Sequence, residues 1–169
     1  MEPTVVERGR VSRVQPSEFT AWVEPHLPAM SRYAARLVPA ADRDDVLQEA
    51  LVRAWRRHST YDARVGAPLP WLLAIVADRA RRHRTRTRPT VELADASVET
   101  VETDVDLERA VLQLSGRQRQ AVDLHYFVGL DVATCAQVMG CAEGTVKATL
   151  HQARGRLRAL LGDDFGGAS

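Results

Sequence analysis

Residues 131–161 read DVATCAQVMGCAEGTVKATLHQARGRLRALL, and this stretch decides the fold of the C-terminal part of the chain. Its apolar residues keep helical spacing up to Met139, and after a Gly-Cys-Ala tripeptide the spacing resumes from Val146 to Leu160. Two helices joined by a tight turn that contains glycine are the outline of a helix-turn-helix. A helical hairpin with a solvated basic face is the alternative interpretation of the same pattern.

The second helix of such a motif enters the major groove and presents its N-terminal residues to the bases. The candidate base-facing residues here are Glu143, Thr145, Lys147, Ala148 and His151, and Gln152, Arg154, Arg156 and Arg158 follow toward the phosphates. The stretch from Gly140 to Lys147 is not a phosphate-binding loop, because its glycines and lysine do not have the required spacing.

Helical periodicity extends upstream as well, and no strand-like alternation of useful length interrupts it. An apolar stripe over 19–37 is interrupted by Pro25 and Pro28, which predicts two short helices with Ser17 as the candidate N-cap. Further helices are predicted over 42–57, over 71–88 with Pro70 in the first turn, and from about Asp104 onward. The sequence therefore predicts an all-α protein.

The charges are segregated along the chain, although the net charge is only +1. Residues 17–90 carry thirteen arginines and eight acids, residues 91–108 carry seven acids and no base, and residues 109–169 carry seven bases and five acids. Two basic blocks that flank an acidic connector indicate two anion-binding modules. Residues 91–103 also lack large apolar side chains and helical period, which is typical of a flexible linker.

These patterns predict two small helical domains joined by a flexible acidic linker. The expected organisation is a tail over 1–16, a first domain over 17–88, the linker over 89–103, a helix-turn-helix domain over 104–161 and a tail over 162–169.

Length and composition narrow the function classes. A chain of 169 residues has no room for a large multidomain enzyme, and 45% apolar with 27% charged residues is typical of a globular protein. No run is long and apolar enough for membrane insertion and no secretory signal is evident, so a cytoplasmic protein is expected. Cys135 and Cys141 fit neither a disulfide framework nor a zinc site.

Residues 79–88 contain six arginines, several of them three or four positions apart. Four such like-charge pairs destabilise a helix by roughly 1–2 kcal/mol in total. The helix dipole recovers part of this cost near a C-terminus, and a polyanion along the helix would recover more. We therefore favour a nucleic-acid contact over a purely structural role for this run.

Asp44, Asp45 and Glu49 lie at the start of the helix predicted over 42–57 and could in principle hold a divalent metal for nuclease chemistry. Further converging ligands are not evident in the sequence, and acids near a helix start are commonly solvated. No nucleophile–base arrangement is suggested by spacing either. The expectation is therefore that the protein is not an enzyme and has neither a metal nor a cofactor.

Several short motifs, taken in their order along the chain, resemble those of one protein family. They are Asp42-x-x-Asp-x-x-Gln-Glu-Ala-x-x-Arg-Ala-Trp55, Trp71-Leu-Leu-Ala-Ile-Val-Ala77, Gln118-Arg-Gln-Ala-Val122, Gly129-Leu130, Gly144-Thr-Val-Lys147 and Ala153-Arg154-x-x-Leu157. Together they resemble extracytoplasmic-function (ECF) sigma factors over about 17–88 and 104–161. The resemblance implies a bacterial transcription initiation factor with sigma-2-like and sigma-4-like domains.

The resemblance also implies partners and site residues. The helix over 42–57 would dock on the clamp helices of the RNA polymerase β′ subunit, with Asp44, Asp45, Gln48, Glu49 and Arg53 as contacts. The loop 59–70 and the helix 71–88 would open the minus-ten promoter element, with Trp71, Asp78, Arg79, Arg82 and Arg86 as contacts. The helix-turn-helix would bind the minus-thirty-five element through Glu143, Thr145, Lys147, Ala148, His151, Arg154 and Arg158. An anti-sigma factor is a candidate further partner.

This chain departs from the family at a few of these positions. Ala148-Thr149 stands where Ser-Arg is common, Asp78 stands where Asn is frequent, and Ser115-Gly116 replaces a start that usually contains proline. The competing function is a stand-alone helix-turn-helix regulator, which explains 131–161 but not the acidic motif or the arginine run.

Overall fold

A computed structural model describes residues 15–87 and 105–162, which we call the N-terminal unit and the C-terminal unit. Every regular element in these two ranges is helical, so the predicted all-α fold class is confirmed for them. The expected linker 89–103 lies outside the described residues, as do most of the two expected tails. No helix in the described ranges has the length and apolar character needed to cross a membrane.

The N-terminal unit is built on a central helix. It contains α1 (Pro16–Val23), α2 (Leu27–Leu37), α3 (Arg43–Arg57) and α4 (Pro68–Arg86), with short 3-10 turns at Glu24–His26, Ala40–Asp42 and His58–Thr60. Helix α4 packs against both α2 and α3, and Met30, Val46, Leu72 and Val76 are fully buried between them. The break between α1 and α2 is the 3-10 turn Glu24–His26, which contains Pro25. Pro28 lies in the first turn of α2, so the two prolines correctly predicted two short helices.

Two helix starts differ from the sequence prediction. Gln15, not Ser17, is the N-cap of α1, and Pro16 takes the first helical position, where a missing N–H costs nothing. Helix α4 begins at Pro68, so Pro70 lies further inside the first turn than predicted. Both prolines are tolerated because the first N–H groups of a helix have no intrahelical partner.

The C-terminal unit consists of short helices around one long one. These are α5 (Val105–Leu112), α6 (Gly116–Val122), a π-helical segment (Asp123–Phe127), α7 (Val132–Met139) and α8 (Glu143–Leu161). Ser115 is the N-cap of α6. Its hydroxyl accepts from the Gln118 N–H at 3.3 Å, and the Gln118 side chain accepts from the Ser115 N–H at 3.2 Å. Helix α8 packs against α5, α6 and α7.

The two units pack against each other. Helix α4 contacts α7, and α2 contacts the π-helical segment. Buried residues of both units, among them Tyr33, Leu73, Leu124 and Cys135, belong to one continuous apolar cluster. The predicted division into two domains therefore describes the order of helices along the chain, while their apolar faces share a core.

Candidate functional site

The helix-turn-helix geometry is fixed by its turn. The Asp131 carboxylate caps α7 by accepting from the Thr134 N–H at 2.6 Å. Gly140 ends α7 in the left-handed conformation with φ +63°, a backbone position that favours glycine. The Cys141 N–H then donates to the Ala136 carbonyl at 3.0 Å, and α8 begins at Glu143. The turn signal in the sequence therefore gave the correct motif.

Helix α8 presents the predicted minus-thirty-five residues to solvent. Val146, Leu150 and Ala153 are buried on its inner side. The opposite side exposes all seven predicted contacts, namely Glu143, Thr145, Lys147, Ala148, His151, Arg154 and Arg158. Thr149 is buried, and its hydroxyl donates to the Thr145 carbonyl at 2.7 Å. Of Ala148 and Thr149, which stand where the family commonly has Ser-Arg, only Ala148 therefore faces solvent.

Helix α3 carries the predicted polymerase contacts. Asp44, Asp45 and Gln48 are exposed, whereas Glu49 and Arg53 are half-buried. Sequence reasoning missed that Val52 and Trp55, with 49% and 36% of their surface exposed, continue the same outward surface. Trp55 also contacts the Phe19 ring, at 5.1 Å between centroids, so its side chain is only partly exposed.

Acidic side chains of α3, and of the 3-10 turn before it, face Arg86 and His83 of α4. Arg86 donates to Glu49 at 2.8 and 2.9 Å, which joins one predicted polymerase contact to one predicted DNA contact. His83 is buried, with its ring nitrogens 3.4 Å from Asp42 and 3.7 Å from Asp45. The sequence predicted two separate binding surfaces, and the structure places them side by side.

The arginine run of α4 forms a positively charged groove. Arg79, Arg82, Thr85 and Arg86 line a cavity of about 340 Å³ that is open to solvent. Arg82 and Arg86 are exposed, while the Arg79 side chain is only 14% exposed and its Nε is buried without a hydrogen-bond partner among the described residues. Arg79 is therefore less accessible than Arg82 and Arg86, and its role as a DNA contact stays a prediction.

Asp78 is held by arginines of its own helix. Its carboxylate accepts from Arg79, from Arg81 at 2.9 Å and from Arg82 at 3.1 Å. The hydrogen bond from Arg79, with those from Arg81 and Arg82, holds the pKa of Asp78 well below its usual range. Asp78 is therefore anionic at neutral pH, and it partly neutralises the groove that the arginines form.

Trp71 belongs to an aromatic cluster at the start of α4. Its ring centroid lies 6.0 Å from that of Trp22 and 5.5 Å from that of Tyr61, and Trp22 contacts the His58 ring at 4.6 Å. The Tyr61 hydroxyl donates to the Gly66 carbonyl at 2.8 Å, which anchors the loop to this cluster. Aromatic residues scattered over helix and loop gave no periodic signal, so the sequence did not predict the cluster.

The rival metal site finds no support in the geometry. Within residues 15–87 and 105–162, no group of three or more histidine, cysteine or acidic side chains is placed to hold a metal ion. Asp45 and Glu49, the central members of the hypothetical site, face His83 and Arg86 instead.

Comparisons with known proteins show the family of the chain. The family models for Sigma-70 region 2 and Sigma-70 region 4 match residues 22–90 and 104–157. The chain is 38% identical over 130 residues to ECF RNA polymerase sigma factor SigM of Mycobacterium tuberculosis, a match that covers 72% of this chain and 65% of SigM. It is 32% identical over 154 residues to SigL of the same species, covering 83% of this chain and 87% of SigL.

A solved structure shows the same arrangement of helices. The sigma factor RpoE of Bartonella quintana, crystallised with the anti-sigma factor NepR, superimposes with a TM-score of 0.65 at 25% identity, over 86% of this chain and 97% of RpoE. The resemblance drawn from the sequence motifs is thereby confirmed. The chain belongs to the extracytoplasmic-function (ECF) RNA polymerase sigma factors.

Proposed function

We propose that this protein is a transcription initiation factor that binds core RNA polymerase and directs it to specific promoters. The observation that carries this proposal is the order of three surfaces along a chain with both sigma family regions: an acidic face on α3, a basic groove on α4 and an exposed basic face on α8. Polymerase, duplex DNA and opened DNA are partners that such surfaces fit.

The outward face of α3 is the proposed contact with the β′ clamp helices. Its acids would meet a basic partner surface, and Val52 and Trp55 beside them supply apolar area. Interfaces of this kind combine a few aromatic or apolar anchors with a charged rim that steers association. The intramolecular pair between Glu49 and Arg86 would then be exchanged for a contact with polymerase.

The α4 groove and the aromatic cluster around Trp71 are the proposed contacts with the minus-ten element. Arg82 and Arg86 would neutralise phosphates of the opened strand, and the half-buried rings of the aromatic cluster would stack on bases. Helix α8 would enter the major groove of the minus-thirty-five element, with Lys147 near base edges and Arg154 and Arg158 on phosphates.

These roles imply a place and a class for the protein. It would act in the cytoplasm, where polymerase and promoter DNA are found, and it would work as a binding factor without a catalytic site of its own. An anti-sigma factor is a candidate regulatory partner, because the related RpoE was crystallised with one.

Run-off transcription tests the proposal. Bacterial core RNA polymerase is incubated with a genomic fragment library, with and without this protein, and the transcripts are sequenced. We expect discrete new start sites only when protein and core are both present. A protein that binds duplex DNA tightly by itself, as a dimer, and adds no start sites would instead be a stand-alone helix-turn-helix regulator.

A further inference from the structure

The outward face of α8 has a centre line that can be located from its buried side. The inner side is marked by three buried residues, Val146, Leu150 and Ala153. Each residue turns an α-helix by about 100°, so the centre line of the outward face lies opposite these three. Four small, exposed residues lie along this line, namely Gly144, Ala148, Gly155 and Ala159.

Hydrogen bonds to base edges must come from residues beside this centre line, because glycine and alanine side chains have neither donor nor acceptor. In the first three turns of α8, the polar side chains nearest the line are His151 and Gln152, each about 45–55° from it. Glu143, Thr145 and Lys147 lie about 70° or more from it. The sequence alone placed His151 among the base contacts and Gln152 toward the phosphates.

The Gln152 side chain suits a base better than a phosphate. It is exposed, and no hydrogen bond to another residue holds its amide within residues 15–87 and 105–162. A neutral amide releases no counterion when it meets a phosphate, so it adds little to the electrostatic part of DNA affinity. The same amide has an acceptor oxygen and a donor NH₂ group, and this combination pairs bidentately with N6 and N7 of adenine in the major groove.

The residues next to Gln152 leave room for a close approach of DNA. Ala148 lies one turn before it and Gly155 three residues after it, both on the centre line. A Cβ added at Gly155 would meet no neighbouring atom within 4 Å, so the packing of this protein does not require glycine there. Glycine inside a helix also lowers its stability relative to alanine. The missing side chains would let the Gln152 amide reach the floor of the groove.

We propose that Gln152 is a specificity-determining residue that selects an adenine in the minus-thirty-five element. This role rests on the proposed function, because it needs α8 to enter the major groove of that element. Arg156 is exposed one turn later on the same side of α8 and is the phosphate contact beside it. Gln152 therefore sets a base preference, whereas Arg156 contributes affinity for any sequence.

Selection from a randomised duplex library tests the proposal. Holoenzyme assembled from bacterial core RNA polymerase and the full-length protein is incubated with promoter fragments randomised across the minus-thirty-five element, and the bound fragments are sequenced. Core polymerase alone gives the background. We expect the wild-type holoenzyme to prefer adenine at one position. Gln152→Ala should reduce that preference by about tenfold and leave the other positions unchanged.

Two further variants separate base reading from a structural role. Arginine pairs bidentately with O6 and N7 of guanine, and glutamate accepts from N4 of cytosine. Gln152→Arg should therefore move the preference at that position from adenine to guanine, and Gln152→Glu should move it to cytosine. Because the side chain is exposed, all three variants should fold, and circular dichroism verifies this.

Arg156→Ala is the matched control. It should weaken binding to all fragments alike and reduce the salt dependence by about one unit, with the base preferences unchanged. Unchanged base preferences in the three Gln152 variants would overturn the assignment, as would a reduced salt dependence in Gln152→Ala. A position that responds to Gln152 but prefers another base in the wild type would overturn the choice of adenine.

The same selection distinguishes the two levels of failure. If the wild-type holoenzyme enriches no sequence beyond those bound by core polymerase alone, the proposed function fails and the role of Gln152 fails with it. If the wild type enriches a minus-thirty-five sequence that the Gln152 variants enrich equally, the proposed function stands and only the role of Gln152 is overturned.

Discussion

Helices α4 and α8 have the same length, 19 residues, and both are rich in arginine, but they differ in how their charges are used. In α4, Arg79 and Arg82 pair with Asp78, and Arg86 pairs with Glu49. In α8, Lys147, Arg154 and Arg158 have no ion-pair partner within the described part of the chain. A polyanion could therefore reach the cations of α8 directly, whereas a ligand of α4 would compete with the protein's own acids.

The surroundings of the two helices explain this contrast. Helix α4 lies between α2, α3 and α7, so its charged end meets side chains of neighbouring elements. Helix α8 contacts only elements of its own unit in the principal packing contacts, and one face stays open to solvent. Burial around α4 also places Tyr33 between the units, and this position gives the largest effect that we predict.

Alkaline pH should destabilise the folded protein through Tyr33. Burial raises the pKa of Tyr33 to about 12 from its usual value near 10. Because the folded state holds this proton more tightly, the stabilisation is complete below pH 10 and is lost as pH rises from 10 to 12, by up to about 2.7 kcal/mol. Chemical denaturation at a series of pH values should show this loss. Lys147 is the only lysine of the chain, so titration of lysines contributes little to the stability change in this pH range.

Tyr33→Phe should flatten that part of the profile, while Tyr126→Phe, at an exposed tyrosine, should not. Cys135 contributes in both proteins, since burial raises its thiol pKa to about 11 and some stability is lost from pH 9 upward. An identical slope between pH 10 and 12 for wild type and Tyr33→Phe would contradict the assignment.

Two substitutions in α8 sharpen the contrast on its open side. Lys147→Ala removes a proposed base contact and should change the preference at one position of the minus-thirty-five element by roughly 1–3 kcal/mol. Arg154→Ala removes a proposed phosphate contact and should weaken all promoters alike, with a salt dependence reduced by about one unit. Binding of a randomised promoter library at several salt concentrations measures both effects. If Arg154→Ala changed the base preference and Lys147→Ala changed the salt dependence, the two assignments would be the wrong way round.

The acids beside α4 are expected to bind polymerase. Asp45→Lys with Glu49→Lys should weaken core binding about tenfold, since reversed charges would face a basic partner. Glu143→Lys in α8 is the matched control and should leave core binding unchanged. Fluorescence titration with core polymerase gives both affinities, and equal binding by the double variant and the wild type would remove the α3 face from the interface.

The smallest effect is expected at Asp78. Its three arginine partners favour an ion-pair role over base reading, so Asp78→Asn should strengthen binding of single-stranded minus-ten DNA by only a few-fold. Base preference in transcription from a randomised minus-ten library should stay the same at equal core binding. A shifted preference would instead identify Asp78 as a base contact, as its place in the family motif suggested.

The parts of the fold that the sequence predicted are those with local causes. Prolines gave the break between α1 and α2, acids and arginines marked the ends of α3, and Gly140 gave the turn before α8. The start of α4 was three residues off, because more than one proline can occupy the first turn. Local chemistry fixes which helices form, with an error of a few residues at their ends.

The parts that were missed depend on distant residues. Asp123 lies in a π-helical segment and is buried, and its carboxylate accepts from Arg36, 87 positions earlier. Glu108 was assigned to an acidic connector that avoids anions, and its ion pair with Arg36 could not be read from that pattern. The predicted site residues lie on α3, α4 and α8, and their binding roles stay predictions. The ion pair between α3 and α4 is likewise a tertiary feature.

The long separation between Arg36 and Asp123 has a consequence for synthesis on the ribosome. Chains grow at about 5–20 residues per second, so Arg36 is made roughly 4–17 s before Asp123. In the later part of that interval, once α4 is made, α2 and α4 exist without the C-terminal helices that cover their shared apolar face in the complete protein. The nascent N-terminal unit therefore exposes an apolar surface until the chain is finished.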